Sequence, residues 1–283
     1  MSQVGQTNSV LLSVRDVQKW FGGLMALNQV SFGVKAGEIV ALIGPNGAGK
    51  TTLFNLVTGF HEIDNGDLFF KGERINDLSP HAIVGRGIVR TFQNLQIFNN
   101  MTVLENVMVG LHLQGSSGTL AAALRLPSAR QEESVVRRKA FGYLEKVGLT
   151  DRADDPATSL PFGQQRLLEI ARALACSPTL ILLDEPAAGL TQTETLALDE
   201  LICHLRDEGL TILLVEHDME LVMSIADRVV VLHYGTKIAE GTPEEVQSNP
   251  EVVRAYLGAD WQQSDWLRWL PKANQPNAEG IDA

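Results

Sequence analysis

Cysteine is scarce in this chain of 283 residues, which carries only Cys176 and Cys203. The two lack metal-ligand spacing and make no disulfide framework, so they read as reduced thiols of a cytoplasmic protein. Positive charge is also short. Lys and Arg number 23 against 34 Asp and Glu, a formal net charge of -11. That balance argues against nucleic acid as the main partner, because a phosphate backbone asks for basic patches. No run approaches the roughly 18–20 apolar residues of a membrane helix, so any membrane role is expected to be peripheral or through partners. The opening "MSQVGQTNSV" has no basic stretch followed by an apolar one, and no leader is expected. Internal repeats are lacking too. With 45% apolar and 20% charged residues, an ordinary globular balance remains, sufficient for one large domain or two smaller ones.

The pattern changes along the chain. Residues 10 to 43 read as strands, and "VSFGVKAGEIVALIG" is two β-rich runs joined by a turn at Ala36-Gly37. A helix is expected from about Gly49 to Gly59, then a short hairpin turning at Lys71-Gly72, so this quarter should pair antiparallel. From 80 to 158 the patterns are helical, as in "VLENVMVGLHL" and "ARQEESVVRRKAFGYLEKVGL", with a Gly/Ser/Pro-containing segment at 115–128 between them. From 160 to 233 strands and helices alternate, which predicts parallel strands with right-handed crossovers. The strands are placed at 179–183, 211–215 and 228–233, and the helices at 163–176, 193–208 and 218–225. After about Gly258 the composition shifts, and three of the four tryptophans lie there.

Chemistry concentrates in a few motifs. "GPNGAGKT", Gly44 to Thr51, fits G-x-x-x-x-G-K-[ST] between the apolar strand "EIVALI" and a helix. Gly44, Gly47 and Gly49 let backbone N–H groups turn toward anionic oxygens, and the helix start adds a favourable partial charge. Lys50 would reach the β- and γ-phosphates and the Thr51 hydroxyl would coordinate Mg²⁺. "LILLDEP", residues 180–186, is an apolar strand ending in two acids. Asp184 is placed to hold Mg²⁺ through water, and Glu185 to orient or deprotonate the attacking water. In "LLVEHD", His217 ends another strand, positioned to contact a γ-phosphate. In "VRTFQN", Gln93 is a residue type that can coordinate Mg²⁺ or water. "LPFGQQRLLEIARAL", residues 160–174, looks like an amphipathic helix with a proline and a glycine at its start. Gly163 leaves backbone free for close approach.

In combination and order, "GPNGAGKTT", "TFQN", "LPFGQ", "LILLDEP", "AAGL" and "VEHD" resemble the nucleotide-binding subunits of ATP-binding cassette transporters, over about residues 11–258. The resemblance implies an α/β P-loop NTPase core with an antiparallel β-subdomain and an α-helical subdomain, the latter at about 95–162, followed by a tail at 259–283. It implies ATP and Mg²⁺ as ligands. Gly44, Pro45, Asn46, Gly47, Ala48, Gly49, Lys50, Thr51 and Thr52 would surround the phosphates. Thr51, Gln93 and Asp184 would serve the metal. Gln93, Glu185 and His217 would serve hydrolysis. Phe21, or its neighbour Trp20, matches the aromatic that stacks on adenine. Pro161, Phe162, Gly163 and Gln164 match the signature that would face the ATP of a second ATPase subunit, identical or paralogous, with Gln164 supporting the loop.

"KWFGGLMALNQVSF" and "GTPEEVQSNPEVVRAYLG" look like the ATP-binding subunits of branched-chain or neutral amino-acid uptake systems, a pattern shared by urea and amide importers. That resemblance implies two transmembrane permease subunits, an external solute-binding protein and a peripheral place at the cytoplasmic face of the inner membrane. Apolar Leu95, Ile97, Phe98 and Met101 would line a groove for a short helix of the permease. Two departures stand out. Pro161 replaces the usual signature serine, and Thr191 stands where many members have aspartate. A regulatory module that binds ATP without turnover is the rival reading, and Glu185 argues against it. Trp266, Trp269 and Leu270 would form an apolar helix face in the tail.

Overall fold

The structure, a computed structural model, describes residues 10–112 and 127–257. Trp266, Trp269 and Leu270, the tail at 259–283 and most of the segment at 115–128 lie outside the described residues. The chain divides into two compact units, one made of residues up to Asp77 together with those from Thr211 onward, the other of Leu78–Leu210.

In the first unit, β1 (Val10–Phe21) pairs antiparallel with β2 (Leu24–Lys35) and β4 (Asn65–Phe70), and β4 pairs with β5 (Glu73–Arg74). The hairpin expected around Lys71-Gly72 is present. Lys71 sits at φ 53 and Gly72 at φ 81, the left-handed backbone a tight turn needs. β3 (Ile39–Ile43) does not continue the antiparallel sheet. It lies between β8 (Thr211–Val215) and β9 (Arg228–His233), parallel to both, with Ile39 opposite Ile212 and Val40 opposite Arg228. The physical reason is burial: every residue of β3 and of β8 is buried, as strands covered on both faces must be. α1 (Lys50–Val57) leaves β3 through the glycine-rich loop, and α7 (Met219–Ile225) follows β8, capped by Asp218, whose carboxylate accepts the Glu220 and Leu221 N–H groups.

The sequence expectation ended its strands at 233, but β10 (Thr236–Gly241) folds back antiparallel on β9. The turn uses Tyr234 at φ 45 and Gly235 at φ 76. Tyrosine is an uncommon choice in that left-handed position, which hides the hairpin from a turn-residue reading. Arg228 ties the two sheets of this unit together. Its Nε donates to Glu38 at 2.8 Å, and its terminal nitrogens donate to Glu240 and to the Gly33 carbonyl of β2. α8 (Pro243–Gln247) and α9 (Pro250–Leu257) close the unit.

In the second unit, α2 (Pro80–Gly85) leads into β6 (Ile88–Arg90), which pairs parallel with β7 (Leu180–Asp184). α3 (Val103–His112), α4 (Pro127–Lys146) and α5 (Phe162–Ala175) pack on one another. Gly110 makes the α3–α5 approach possible, since a Cβ there would sit 2.5 Å from the Arg172 carbonyl oxygen. α6 (Gln192–Asp207) opens on a reciprocal cap, with the Thr191 hydroxyl accepting from the Glu194 N–H and the Glu194 carboxylate accepting from the Thr191 N–H. Threonine and aspartate both serve as N-caps, so Thr191 can fill the capping role that the aspartate expected from the resemblance would have.

Candidate functional site

In the first unit, the loop from Gly44 to Gly49 joins a buried strand to the N-terminus of α1. Its three glycines have φ 152, 77 and 103. A Cβ on Gly44 would meet the Leu232 carbonyl oxygen at 2.1 Å, and one on Gly49 would meet the Ala26 oxygen at 2.8 Å. Over Gly47 there is nothing within 4 Å. The loop is thus held tightly at its ends and open over Gly47, the form of a phosphate cradle, with the Ala48 N–H donating to the Pro45 carbonyl at 3.1 Å. Lys50 is buried, and its Nζ donates to the carbonyls of Gly44 at 2.7 Å and Pro45 at 3.2 Å. Thr51 is exposed at the helix start and Thr52 half-buried. Asn46 and Gly47 are exposed, and Pro45 and Ala48 are buried. Tyr256 of α9 is fully buried beside this loop. Burial pushes its phenol up, while the Gly44 backbone opposes that.

Phe21, at the tip of β1, is 43% exposed. The His61 ring meets its edge at 5.2 Å between centroids, and Lys19 Nζ lies 5.4 Å from its centre. Trp20 is half-buried, its backbone N–H donating to Asp64 at 2.6 Å. Of the two aromatics, Phe21 is the one with a ring open to a planar ligand. His217 is half-buried just past β8, where its own N–H donates to Glu216 at 2.9 Å.

In the second unit, Asp184 is the last residue of β7, which extends one residue past the expected end of that strand. Its carboxylate is buried and pairs at 2.6 Å with Arg90, itself buried at the end of β6. Glu185 follows, half-buried, with φ 49. A non-glycine residue there carries strain that persists only where the surroundings impose it. Its carboxylate accepts the Gln93 side-chain N–H at 2.8 Å. Gln93 is exposed, so two of the expected hydrolytic residues are in contact. Just beyond, Phe98 is 44% exposed, with the Arg172 guanidinium 5.3 Å over its ring. Asn106 holds the Phe98 backbone at both its N–H and its carbonyl. Leu95, Ile97 and Met101 are half-buried.

At the start of α5, Pro161 is the N-cap rather than the first helical residue. Pro161 and Phe162 are exposed and Gly163 is buried. The group that approaches Gly163 is the Glu194 carboxylate: a Cβ on Gly163 would lie 2.2 Å from Glu194 Oε1. Phe162 packs against Gly189. Gln165, rather than Gln164, bonds back to the loop, its Nε2 donating to the Leu160 carbonyl at 2.8 Å. Gln164 Oε1 is buried without a hydrogen-bond partner among the described residues. Consecutive residues of a helix point about 100° apart, so only one of the two glutamines can face Leu160.

No group of three or more His, Cys, Asp and Glu that could cage a metal exists among the described residues. Thr51, in the first unit, offers an exposed hydroxyl, and Asp184, in the second, a buried carboxylate, each an oxygen donor of the kind Mg²⁺ takes. Sequence reasoning missed Arg90 and Arg166. Arg90 follows an apolar run in "GIVRTF" and Arg166 precedes one in "GQQRLLEI", and that setting was the available signal for a buried, paired charge.

Comparison with known proteins identifies the family. The family described as ABC transporter matches residues 27–188, and that described as branched-chain amino acid ATP-binding cassette transporter matches residues 236–261. The chain is 47% identical over 249 residues to the high-affinity branched-chain amino acid transport ATP-binding protein LivG of Escherichia coli (strain K12), covering 88% of this chain and 98% of that protein. It is 46% identical to the corresponding protein BraF of Pseudomonas aeruginosa, with 88% and 98% covered. The crystal structure of a nucleotide-free ATP-binding cassette from an ABC transporter superposes with a TM-score of 0.77 at 36% identity, covering 88% of this chain and 99% of that one. A dimeric post-hydrolysis cassette bound to ADP and Pi does so at 0.70 and 26% identity, covering 82% and 98%. The chain belongs to the ABC transporter family and is an ATP-hydrolysing, ATP-binding cassette subunit.

Proposed function

We propose that this subunit hydrolyses ATP to drive uptake of branched-chain or neutral amino acids through a membrane importer. The solute is that of relatives 47% and 46% identical over nearly their whole length, which are branched-chain amino acid transport ATP-binding proteins. The observation that carries the chemistry is the Gln93–Glu185 contact of 2.8 Å, at the end of a buried strand whose preceding residue is a paired, buried aspartate.

Each side chain then has a task. The N–H groups of the 44–49 loop and the start of α1 bind the β- and γ-phosphates, and Lys50 turns from its loop carbonyls to the phosphate oxygens. Phe21 stacks on the adenine. Thr51, Asp184 and Gln93 would hold Mg²⁺, which would supply positive charge to offset that on the phosphates. Glu185 accepts a proton from, or orients, the attacking water, with Gln93 fixing its carboxylate. His217 contacts the γ-phosphate. Pro161 has neither a backbone N–H nor a hydroxyl, so Gly163 and the backbone after it would meet the ATP of a second, identical or paralogous ATPase subunit. Before that, the Glu194 carboxylate has to move off Gly163. Two permeases would hold the pair at the cytoplasmic face of the membrane, with the 95–101 segment receiving a permease helix. No helix among the described residues is long and apolar enough to cross a membrane.

Glu185→Gln tests the hydrolytic assignment. It keeps the shape and an acceptor oxygen for Gln93 but removes the base. ATP binding should persist while turnover falls by at least about a hundredfold. Turnover at the native rate would overturn the role.

A further inference from the structure

Among the described residues of the second unit, the most deeply buried ion pair has no part in the chemistry above. Arg166 and Glu169 lie one turn apart on α5, with side chains 1% and 2% exposed and 2.9 Å between them. Buried charges are a costly way to fill space, and apolar residues of similar volume often serve as well. Here the charges hold backbone. Arg166 Nη1 donates to the Phe92 carbonyl and Nη2 to the Gln93 carbonyl, each at 2.9 Å. Glu169 Oε1 accepts the Phe92 N–H at 3.4 Å while Oε2 accepts from Arg166. Two consecutive carbonyls and the intervening strand of backbone are therefore gripped by one planar fork and its counter-ion. A lysine, with a single ammonium, does not reproduce that geometry. Burial pushes the Glu169 carboxyl up, and Arg166 and the Phe92 N–H pull against it. The gripped residue Gln93 is the one whose side chain meets Glu185, and the gripping helix is the one that begins Phe162-Gly163-Gln164.

We propose that Arg166 and Glu169 are positioning residues that clamp the Phe92–Gln93 backbone to α5, so that the glutamine at Glu185 and the first turn of α5 move as one piece. The consequence is mechanical coupling: any displacement of Gln93 by nucleotide or by a permease is passed to the helix start. This rests on the roles given above to Gln93 and to the α5 start.

The test uses the full chain and two readouts. Hydrogen exchange without nucleotide, followed in peptides covering 91–95 and in β8 as reference, reads the clamp independently of activity. Steady-state ATPase reads its effect. In Arg166→Met, exchange at 91–95 should rise about tenfold or more with β8 unchanged, as for a local opening. The kcat should fall about tenfold or more while ATP affinity stays within about twofold, the mark of a group that acts on the transition state rather than on binding. Arg166→Lys should recover part of both. Unchanged exchange at 91–95, or equal changes in kcat and KM, would overturn the clamp. Should Arg166→Met not fold, Glu169→Gln decides by the same exchange measurement, because it keeps volume and an acceptor; protection equal to the native chain overturns the proposal. Loss of protection in a chain whose native form hydrolyses no ATP would leave the clamp standing and sink the ATPase roles instead.

Discussion

Arg90 offers a severe test of how the acidic end of β7 is held. Its guanidinium and the Asp184 carboxylate are 6% and 5% exposed and lie 2.6 Å apart. Solvent screening of such a pair is slight, so the small values measured for surface ion pairs do not apply. Arg90→Met keeps the aliphatic bulk beside the Phe92 ring, over which the guanidinium now sits at 5.2 Å, but leaves a carboxylate buried without its cation. Removing one partner of a buried pair costs about 3–5 kcal/mol, roughly a hundredfold to several-thousandfold in the folded-to-unfolded ratio. Equilibrium urea unfolding of the nucleotide-free chain, at constant slope, should show that loss. Repeating it with saturating Mg²⁺ and ADP should return more stability to the variant than to the native chain, because the metal cation then supplies the charge that Asp184 lacks. Arg90→Lys should fall between the two. An apo variant within about 1 kcal/mol of native would refute the reasoning, showing that the pair contributes little beyond filling space.

Other perturbations read other parts. Lys50→Ala should lower ATP affinity at least about tenfold by loss of the cation at the phosphates. It should also cost about 1–2 kcal/mol in nucleotide-free stability, since the Gly44 and Pro45 carbonyls lose their donor; nucleotide titration and thermal unfolding check both. Phe98→Asp should leave the isolated ATPase rate intact, with the new carboxylate settling near Arg172, while solute uptake by the assembled transporter is lost; uptake at the native rate would place the permease contact elsewhere. The Trp20 N–H and Lys19 hold the Asp64 carboxyl below the ordinary aspartate range. Its contribution is therefore complete above that range and disappears as pH falls through the lowered folded value. Asp64→Asn should flatten that acid-side decline in unfolding measured against pH.

The readable parts of the sequence were those where a local rule and a global need coincide. A glycine-rich turn between an apolar strand and a helix announces a phosphate loop because few other functions require Gly44, Gly47, Gly49 and Lys50 together. The acids after "LILL" stand out because carboxylates are costly at the end of a buried strand. The alternation from 160 to 233 was legible for the same kind of reason. Sheet membership was not: the run "EIVALI" looks alike in either sheet, and only long-range pairing with residues 212–215 and 228–231 settles it. Tertiary contact also explains why Arg90, Arg166 and Glu194 went unread. Their partners lie 94, 73 and 31 positions away for the Asp184, Gln93 and Gly163 contacts, beyond any periodicity. At Gln164 and Gln165, two identical residue types differ by one helical step, and only the backbone decides which reaches Leu160.

Glu185 adopts a left-handed backbone at φ 49, a region where an ordinary L-residue stands roughly 1–2 kcal/mol above its right-handed form. Glycine and asparagine would occupy it with less penalty, and neither carries a carboxylate. A substitution that relaxes this peptide is therefore also one that silences the water-activating group. Drift toward greater robustness at this single position leads away from turnover, so a gene copy freed from selection for transport has an easy route to a sturdier protein that grips nucleotide and does nothing with it.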